Sequence, residues 1–186
     1  NRRSKLEPVL HQHLPIFHSS HCLYARYLSK GDSYQDCGHV CERHKIHLQD
    51  ENGQDHLVLA DMGCRNTVFN AQAQSGADTL AAWLEEGISR YRIEFVDESE
   101  ESVRNVLGAY SKLFAARGRA PEPLWSLLSG VEDSNGHAQG ASVGSLRSEK
   151  ERKAGKGRKT TGQRRSKVVV RRGSDSQKSR KKAKSR

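Results

Sequence analysis

Two short stretches with strand-like hydrophobic patterns predict a β-hairpin in the first third of the chain. Over residues 44–48, Ile46 and Leu48 fall on one side, as the two-residue period of a β-strand requires. Asn52-Gly53 follows, a dipeptide typical of tight hairpin turns. Residues 56–60 are almost wholly apolar, which favours a strand covered on both faces.

Apolar residues at helical spacing predict a short helix over residues 23–28 and a longer one over residues 71–86. In the longer segment, apolar side chains at i, i+3 and i+4 share one face, and Gly87 lies where the chain leaves the helix. These apolar residues are Leu80, Trp83 and Leu84.

A strand and a further helix are predicted downstream. Over residues 91–96, aromatic and aliphatic side chains alternate with Arg92 and Glu94. Ser99 is placed to cap the next helix, and two glutamates follow it in the first turn. The side chains expected to be buried on this helix are Val103, Val106, Leu107, Tyr110 and Phe114.

The order strand, helix, strand, helix is typical of βαβ units and predicts an α/β fold. A complete (β/α)8 barrel takes about 250 residues, so we expect the closing part of a (β/α)8-type barrel with a cysteine-rich insertion. Residues 1–128 form the predicted domain, divided into a cysteine-rich region (14–70) and an α/β region (71–128). Because the chain starts at Asn1 inside a charged segment, we expect an upstream part that completes the barrel.

Charge separates this domain from the C-terminal part of the chain. Residues 147–186 hold 18 Lys and Arg but only three acidic residues, whereas the other 146 residues hold 14 basic and 19 acidic groups. Residues 129–186 are therefore predicted to be a disordered Lys/Arg/Ser-rich tail, and Val168-Val169-Val170 is too short to change that prediction. No run of 18 apolar residues exists, so no membrane span is expected.

Basic clusters in the tail indicate a polyanionic partner. Lys and Arg neutralise phosphates in a salt-dependent, sequence-independent way, which makes RNA the expected partner. The alternative is a solvated extension that contains a nuclear-localisation-like address.

All four cysteines lie in one stretch, with the spacing Cys-x14-Cys-x3-Cys-x22-Cys. Four thiols can complete a tetrahedral zinc site or hold an iron–sulfur cluster. Structural zinc sites usually pair their ligands twice at short spacing, and only one such pair exists here. Two disulfides or four unrelated thiols are further alternatives, although no signal peptide marks the chain as secreted. The thiols are Cys22, Cys37, Cys41 and Cys64.

Three motifs around these cysteines resemble peptidase family U32, and in particular the later portion of its long, collagenase-like members. They are Leu14-Pro15-Ile16-Phe17-His18-Ser19-Ser20-His21-Cys22, Asp36-Cys37-Gly38-His39-Val40-Cys41-Glu42 and Ala60-Asp61-Met62-Gly63-Cys64-Arg65-Asn66-Thr67-Val68-Phe69-Asn70. Several members of this family are iron–sulfur proteins that hydroxylate RNA bases or ubiquinone precursors without O2. The resemblance therefore implies an iron–sulfur cluster, most simply 4Fe-4S, on the four cysteines, with zinc as the alternative.

The chain departs from the family at two positions. Ser20 stands where many members have Glu before the His-Cys pair, which weakens any acid–base role there. Ala25 stands where many relatives carry a further cysteine, so the chain has no spare thiol ligand.

Several polar residues near these motifs are candidates for chemistry. His18 and His21 flank Cys22, and histidine can ligate an iron–sulfur cluster or move a proton beside it. Arg92 and Glu94 point the same way from one strand; they are either catalytic or an ordinary surface salt bridge. Arg65 and Asn66 are candidate substrate-binding residues, because they follow Cys64 directly.

Three functions remain open at this point. The leading hypothesis is an iron–sulfur-dependent hydroxylase of ribosomal or transfer RNA, of which this chain is a part. The alternatives are a collagenase-like peptidase, for which no serine-elbow or zinc-peptidase motif is found, and a zinc-stabilised RNA-binding module without catalysis. Reduced thiols point to an intracellular, reducing compartment, either the cytoplasm or an organelle such as a plastid.

Overall fold

The computed structural model describes residues 5–119, 123–131, 138, 140–146 and 167–172, and within them the chain is a mixed α/β protein with two sheets. The strands are β1 (Val9–Gln12), β2 (Pro15–Ser19), β3 (His44–Gln49), β4 (Asp55–Ala60), β5 (Asn66–Phe69), β6 (Ala73–Ser75), β7 (Arg92–Ile93), β8 (Ala141–Ser142) and β9 (Lys167–Arg172). The helices are α1 (Leu23–Leu28), α2 (Leu80–Glu85), α3 (Glu100–Ala115) and α4 (Pro123–Ser129).

The cysteine-rich region forms most of a five-stranded antiparallel sheet in the order β2-β5-β4-β3-β9. The predicted hairpin is confirmed: β3 and β4 pair with Ile46 opposite Val58, and the turn closes through Gln54, whose carbonyl accepts from the Asp50 amide. Gly53 has a φ of 80°, the left-handed backbone that this turn needs.

One face of this sheet is a small apolar core. Ile46, Val58 and Val68 are buried on it, and Tyr24 of α1 packs against them. The Tyr24 hydroxyl donates a 2.6 Å hydrogen bond to the Val58 carbonyl, so α1 is attached to the sheet by both burial and a polar contact. The predicted helix over residues 23–28 is thus confirmed as α1.

The second sheet is mixed and runs in the order β7-β1-β6-β8. β1 pairs antiparallel with β6 and parallel with β7, and β8 pairs parallel with β6. Helices α2, α3 and α4 cover it and form the larger core. Its fully or almost fully buried large apolar residues are Leu10, Leu80, Val106, Tyr110, Leu113 and Leu128.

Helix α3 begins where its sequence predicts. The Ser99 hydroxyl accepts a hydrogen bond from the Ser102 amide, and Glu100 lies in the first turn. Val106 and Tyr110 are buried as expected. Leu107, however, is 43% exposed, because the buried face is centred on Val106, Tyr110 and Leu113.

The predicted helix over residues 71–86 is wrong in extent. Only Leu80–Glu85 forms an α-helix, while Ala73–Ser75 forms β6 between β1 and β8. Gly76 ends that strand, and its amide donates to the Leu10 carbonyl. Sheet pairing thus overrides local helical preference in the first half of this segment.

The strand predicted for residues 91–96 is shorter than expected, since β7 is only Arg92–Ile93. Its predicted alternation is confirmed, because Tyr91, Ile93 and Phe95 pack against the larger core while Arg92 is exposed.

No closed barrel is present in the described ranges. The expected βαβ arrangement is not seen around β4, because β3, β4 and β5 are joined by tight connections and pair antiparallel. Short connections of this kind suit antiparallel strands, whereas parallel strands need a crossover of a dozen or more residues. The mixed α/β class is therefore confirmed, without the barrel geometry.

The chain beyond residue 128 also differs from its prediction where it is described. β8 joins the mixed sheet, and β9, which includes Val168-Val169-Val170, pairs with the whole length of β3. The prediction that these valines stay unstructured is wrong, because the open edge of β3 offers them a hydrogen-bonding partner. The remainder of the predicted disordered tail lies outside the described residues. Within the described ranges, no helix has the length and apolar character needed to cross a membrane.

Candidate functional site

Three of the four cysteines line one open cleft of about 420 Å³, called here the cysteine cleft. Its walls come from the start of α1, the turn before Cys37 and the β4–β5 connection. The lining residues are Ser20, His21, Cys22, Ala25, Asp32, Ser33, Tyr34, Cys37, Met62, Gly63 and Cys64.

Cys22 is held at the start of α1. It is the N-cap residue of that helix, and its Sγ accepts a 3.4 Å hydrogen bond from the Ala25 amide. Sulfur is a weak acceptor, so this contact orients the thiol while leaving it half-exposed to the cleft.

Cys37 is held by a compact turn. The Asp36 carboxylate accepts hydrogen bonds from both the amide and the hydroxyl of Ser33, and the Cys37 amide donates to the Ser33 carbonyl. Gly31 passes so close to Asp36 that an added Cβ would lie 2.3 Å from its carbonyl oxygen. The turn therefore depends on a glycine at position 31, and it buries Cys37 against the cleft.

Cys64 lies in the connection between β4 and β5. The Asp61 carboxylate accepts from the amides of Gly63 and Arg65, and the Arg65 guanidinium lies 2.9 Å from it. Cys64 itself has a φ of 57°, in the left-handed region that non-glycine residues rarely adopt. The Asp61 hydrogen bonds hold this unfavourable backbone and place the thiol at the cleft.

Cys41 is exposed on the short 3-10 turn Val40–Glu42 and does not line the cleft. Burial raises the pKa of its thiol, and the charges of Cys22 and, more weakly, Cys37 raise it further.

The four cysteine thiols are ligands of the kind that bind zinc or an iron–sulfur cluster, but they do not converge on one point. In the described part of the chain, no three His, Cys, Asp or Glu side chains converge closely enough to hold one metal ion. A single zinc needs four ligands, with thiolate sulfurs about 2.3 Å from the metal. A 4Fe-4S cluster is larger, since each thiolate binds a different iron, so its four thiolates lie further apart than the ligands of one zinc.

The predicted histidines take different positions. His21 lines the cysteine cleft. His18 lies on β2, and its Nδ1 is 3.0 Å from the Thr67 hydroxyl on β5. His39, between Cys37 and Cys41, contacts the Tyr34 carbonyl through Nε2 and lies 3.4 Å from Glu42. Only His21 therefore faces the cleft directly.

Arg65 and Asn66 have different environments although they are neighbours. Arg65 is mostly exposed and paired with Asp61. Asn66 is fully buried, and its Oδ1 accepts a 2.5 Å hydrogen bond from the Leu23 amide. Arg65 is accessible to a substrate, whereas Asn66 lies beneath the cleft between the Cys22 and Cys64 segments.

Arg92 and Glu94 form a surface ion-pair group. The Arg92 guanidinium lies 2.7 Å from Glu7 and 3.4 Å from Glu94, and neither Arg92 nor Glu94 lines the cysteine cleft. The hydrogen bonds that Arg92 donates to Glu7 and, secondly, to Glu94 raise the pKa of Arg92. This placement matches the salt-bridge alternative for the pair.

A second polar site lies on the other face of the five-stranded sheet and was not predicted from the sequence. It is a cavity of about 50 Å³, called here the histidine cavity, and His47 and Asp55 extend into it from β3 and β4. Its other polar lining side chains are His11, His13, Asn70, Asp97 and Glu98. The available signal was the density of histidines, eight of nine within the first 56 residues.

Burial and hydrogen bonding set the charge states in the histidine cavity. The pKa of His11 falls to about 4, chiefly through burial and secondly through the nearby His13. Burial alone would raise the pKa of Glu98, but His13 and the Val96 amide outweigh it and lower the pKa to about 2. His11 is thus neutral at pH 7, while Glu98 is an anion 3.3 Å from His13.

The fold and the cysteine cleft define a mixed α/β protein built to present several thiols at one surface opening. A sequence profile of peptidase family U32 matches residues 2–129, which is more than two thirds of the chain. The chain belongs to this family, as the three cysteine motifs predict. The search of curated proteins gave no match, and neither did the search of solved structures.

Proposed function

We propose that this chain is part of an iron–sulfur protein that hydroxylates a base of ribosomal or transfer RNA. Cys22, Cys37, Cys41 and Cys64 would hold the cluster, most simply 4Fe-4S. The observation that carries the proposal is the grouping of three thiols around one open cleft. Cys41, four residues after Cys37 in the same motif, supplies the fourth thiol.

The cleft has properties that suit chemistry on a small group. Its volume of about 420 Å³ falls in the usual range of ligand sites, about 300–1,000 Å³. Enzymes that modify a base take it out of the stack into a pocket of this kind. A bound iron–sulfur cluster supplies one-electron redox chemistry. His21 is the cleft residue able to hold or move a proton beside the substrate.

The RNA partner is supported by the basic strand β9. This strand carries Lys167, Arg171 and Arg172, and it pairs with β3 at the edge of the five-stranded sheet. Arg172 lies opposite His44, three residues after Cys41. Lys and Arg neutralise the phosphates of a bound RNA.

Anaerobic purification of the 186-residue chain tests the cofactor. A brown protein with about four iron and four sulfide per chain is expected, with absorption near roughly 400 nm. Each Cys→Ser variant should lose most of the iron, whereas Ser20→Ala, which changes a cleft hydroxyl that is not a candidate ligand, should keep it. One zinc in a colourless protein would instead favour the zinc-stabilised RNA-binding module. Peptide cleavage that survives chelation would favour the peptidase.

Fluorescence anisotropy with single-stranded RNA tests the partner. Replacing Lys167, Arg171 and Arg172 by Gln should weaken binding and lower the slope of log K against log salt by about 2. The matched control replaces three basic residues of or beside α3, Arg104, Lys112 and Arg117, by Gln. An equal loss of RNA affinity in the two triple variants would show that β9 has no specific role in RNA binding.

A further inference from the structure

Two large apolar side chains lie exposed on the walls of the cysteine cleft. Tyr34, in the turn before Cys37, is 63% exposed, and Met62, between β4 and β5, is fully exposed. Single exposed apolar residues are ordinary on a protein surface, whereas exposed apolar residues grouped at one concave site are typical of a ligand-binding groove. The cleft therefore suits a ligand that has an apolar surface.

The Tyr34 ring is supported from one side by His39. The centroids of the two rings are 4.5 Å apart, and their planes are tilted by 35°. His39 Nε2 lies 3.2 Å from the Tyr34 carbonyl oxygen, and its Nδ1 lies 3.4 Å from the Glu42 carboxylate. Because both ring nitrogens face an acceptor, the imidazole is held in one orientation against Tyr34.

The backbone of His39 is in an unfavourable conformation. Its φ is 50°, in the left-handed region that non-glycine residues rarely adopt, and such conformations cluster at binding and catalytic sites. His39 does not itself line the cysteine cleft, so it contacts the cleft wall through Tyr34. The strained residue thus orients a tyrosine that stays largely exposed at the cleft.

The cleft also has polar lining residues. Ser20, His21 and Asp32 offer hydrogen-bonding groups in the same cleft as Tyr34 and Met62. A nucleobase combines flat apolar faces with a hydrogen-bonding edge, and enzymes that act on an extruded base stack it between aromatic or apolar side chains while they hydrogen-bond its edge. An aliphatic ligand has no such edge, so this lining fits a base better.

The two apolar side chains belong to segments that carry cleft thiols. Tyr34 is three residues before Cys37, whose Sγ lies 3.9 Å from the Tyr34 carbonyl oxygen. Met62 is two residues before Cys64. A ring bound between Tyr34 and Met62 would therefore lie beside the group that these thiols hold.

We propose that Tyr34 and Met62 are the base-binding residues of the cysteine cleft. An unpaired nucleobase of single-stranded RNA stacks on the Tyr34 ring, Met62 covers its other face, and His39 is a positioning residue for Tyr34. This inference rests on the proposed RNA-modifying function and specifies which side chains hold the base.

Two short oligoribonucleotides with an end-attached dye test the stacking on the cluster-loaded chain. One carries a single 2-aminopurine among abasic riboses, and the other is abasic throughout. The wild type should bind the first more tightly, as measured by anisotropy, and should quench the 2-aminopurine fluorescence, because stacking quenches this base. Tyr34→Ala should weaken binding of the first RNA about 5- to 150-fold, the usual effect of removing a base-stacking ring, and leave binding of the abasic RNA unchanged.

Matched variants separate stacking from a general loss of affinity. Tyr34→Phe keeps the ring and should bind both RNAs as the wild type does. Met62→Ala removes a sulfur–ring contact and should weaken binding of the base-bearing RNA about 2- to 10-fold. The control is Tyr27→Ala, the same change at a tyrosine of α1 that is 52% exposed and does not line the cleft. It should leave both affinities unchanged.

The role of His39 has its own variant. Asparagine adopts the left-handed backbone more readily than most residues, so His39→Asn keeps the turn but removes the ring behind Tyr34. It should weaken binding of the base-bearing RNA and leave binding of the abasic RNA unchanged. Wild-type affinity for both RNAs would show that His39 does not position Tyr34.

The outcomes distinguish this inference from the proposed function. A wild-type chain that takes up no iron–sulfur cluster, or that binds neither RNA, overturns the proposed function. A loaded wild type that binds both RNAs equally overturns the inference alone, and so does a Tyr34→Ala with wild-type affinity for the base-bearing RNA. Should Tyr34→Ala fail to fold, Tyr34→Leu, which keeps apolar bulk without an aromatic ring, decides by the same criterion.

Discussion

The cysteine cleft and the histidine cavity are polar sites of opposite character. The cysteine cleft is open, holds three thiols and sits beside the apolar core of Ile46 and Val58. The histidine cavity is about eight times smaller and is lined by imidazoles and carboxylates, of which His13 and Glu98 lie 3.3 Å apart. Ion pairing and burial make the second site a stable interior, whereas the first leaves its reactive groups available.

The alternation of side chains along β3 separates the apolar core from the histidine cavity. Successive residues of a strand point to opposite faces, so Ile46 faces the small apolar core while His47 faces the cavity. Changes on one face should therefore affect the thiols, and changes on the other face should affect folding with little effect on the thiols.

The largest expected effect comes from truncating a side chain in either of the two apolar cores. Ile46→Ala and Leu10→Ala each remove a fully buried side chain and should each cost about 2–5 kcal/mol of unfolding free energy. At matched folded fractions, only Ile46→Ala should reduce iron uptake, because it lies in the core beneath the cysteine segments. Denaturant unfolding measures the loss of stability, and iron analysis measures the uptake. Equal iron loss in both variants would show that the cysteine segments do not depend specifically on the core around Ile46.

The pH dependence of stability should come from the histidine cavity. His11 has a pKa of about 4 in the folded protein against 6.5 for the ordinary side chain. Between these values the unfolded chain binds a proton that the native protein does not, so stability falls as the pH drops from about 6.5 to 4. The loss is roughly 3 kcal/mol, measured by urea unfolding at pH 7 and pH 4.5.

His11→Gln should flatten this dependence, and His18→Gln, on the exposed strand β2, should leave it unchanged. Glu98 affects the free energy of unfolding at lower pH than His11, because its pKa is about 2 in the folded protein and 4.5 for the ordinary side chain. Its contribution is lost only as the pH falls from about 4.5 towards 2. A wild-type stability that stays level from pH 7 to pH 4.5 would disprove the role of His11.

A smaller effect is expected at Cys64, whose backbone is left-handed. Cys64→Gly should raise the unfolding free energy of the metal-free chain by about 1 kcal/mol, because glycine adopts this φ without strain. The same change should abolish iron uptake. Cys22→Gly, at an extended backbone position, is the control and should gain no stability. A destabilised Cys64→Gly would show that the thiol itself stabilises the fold.

The smallest effect is expected at Arg92. Its ion pairs with Glu7 and Glu94 are exposed, and exposed pairs contribute about 0–1 kcal/mol. Arg92→Gln should leave iron uptake unchanged and shift thermal unfolding by only a few degrees. If the variant lost RNA hydroxylation at unchanged stability, the catalytic alternative for Arg92 would stand.

Local patterns were sufficient to predict the hairpin, α1 and the capped start of α3. Each depends on a short-range signal: alternation around Ile46, the Asn-Gly turn, or the Ser99 hydroxyl. The segment of residues 71–86 was mispredicted because β6 forms through pairing with β1 and β8, and that pairing is invisible in a local window. The predicted closing part of a barrel is not confirmed in the described ranges, where the strands form two separate sheets.

The candidate site was predictable only in part. Sequence motifs grouped Cys22, Cys37, Cys41 and Cys64; the structure places three of these thiols around one cleft and leaves Cys41 exposed outside its lining. The burial of Asn66 and the histidine cavity were not predictable, because both arise from contacts between segments far apart in the chain. The His11–Tyr110 contact, for example, joins residues 99 positions apart.

The pairing of β9 with β3 has a consequence for biosynthesis. His44 and Arg172 are paired although 128 residues separate them, and contacts of such long range are slow to form. At about 5–20 residues per second, roughly 6–25 s pass on the ribosome between completion of these two strands. Throughout that interval β3 is an open edge that a neighbouring nascent chain can join, so translation speed and chaperone binding should influence how much correctly assembled protein is made.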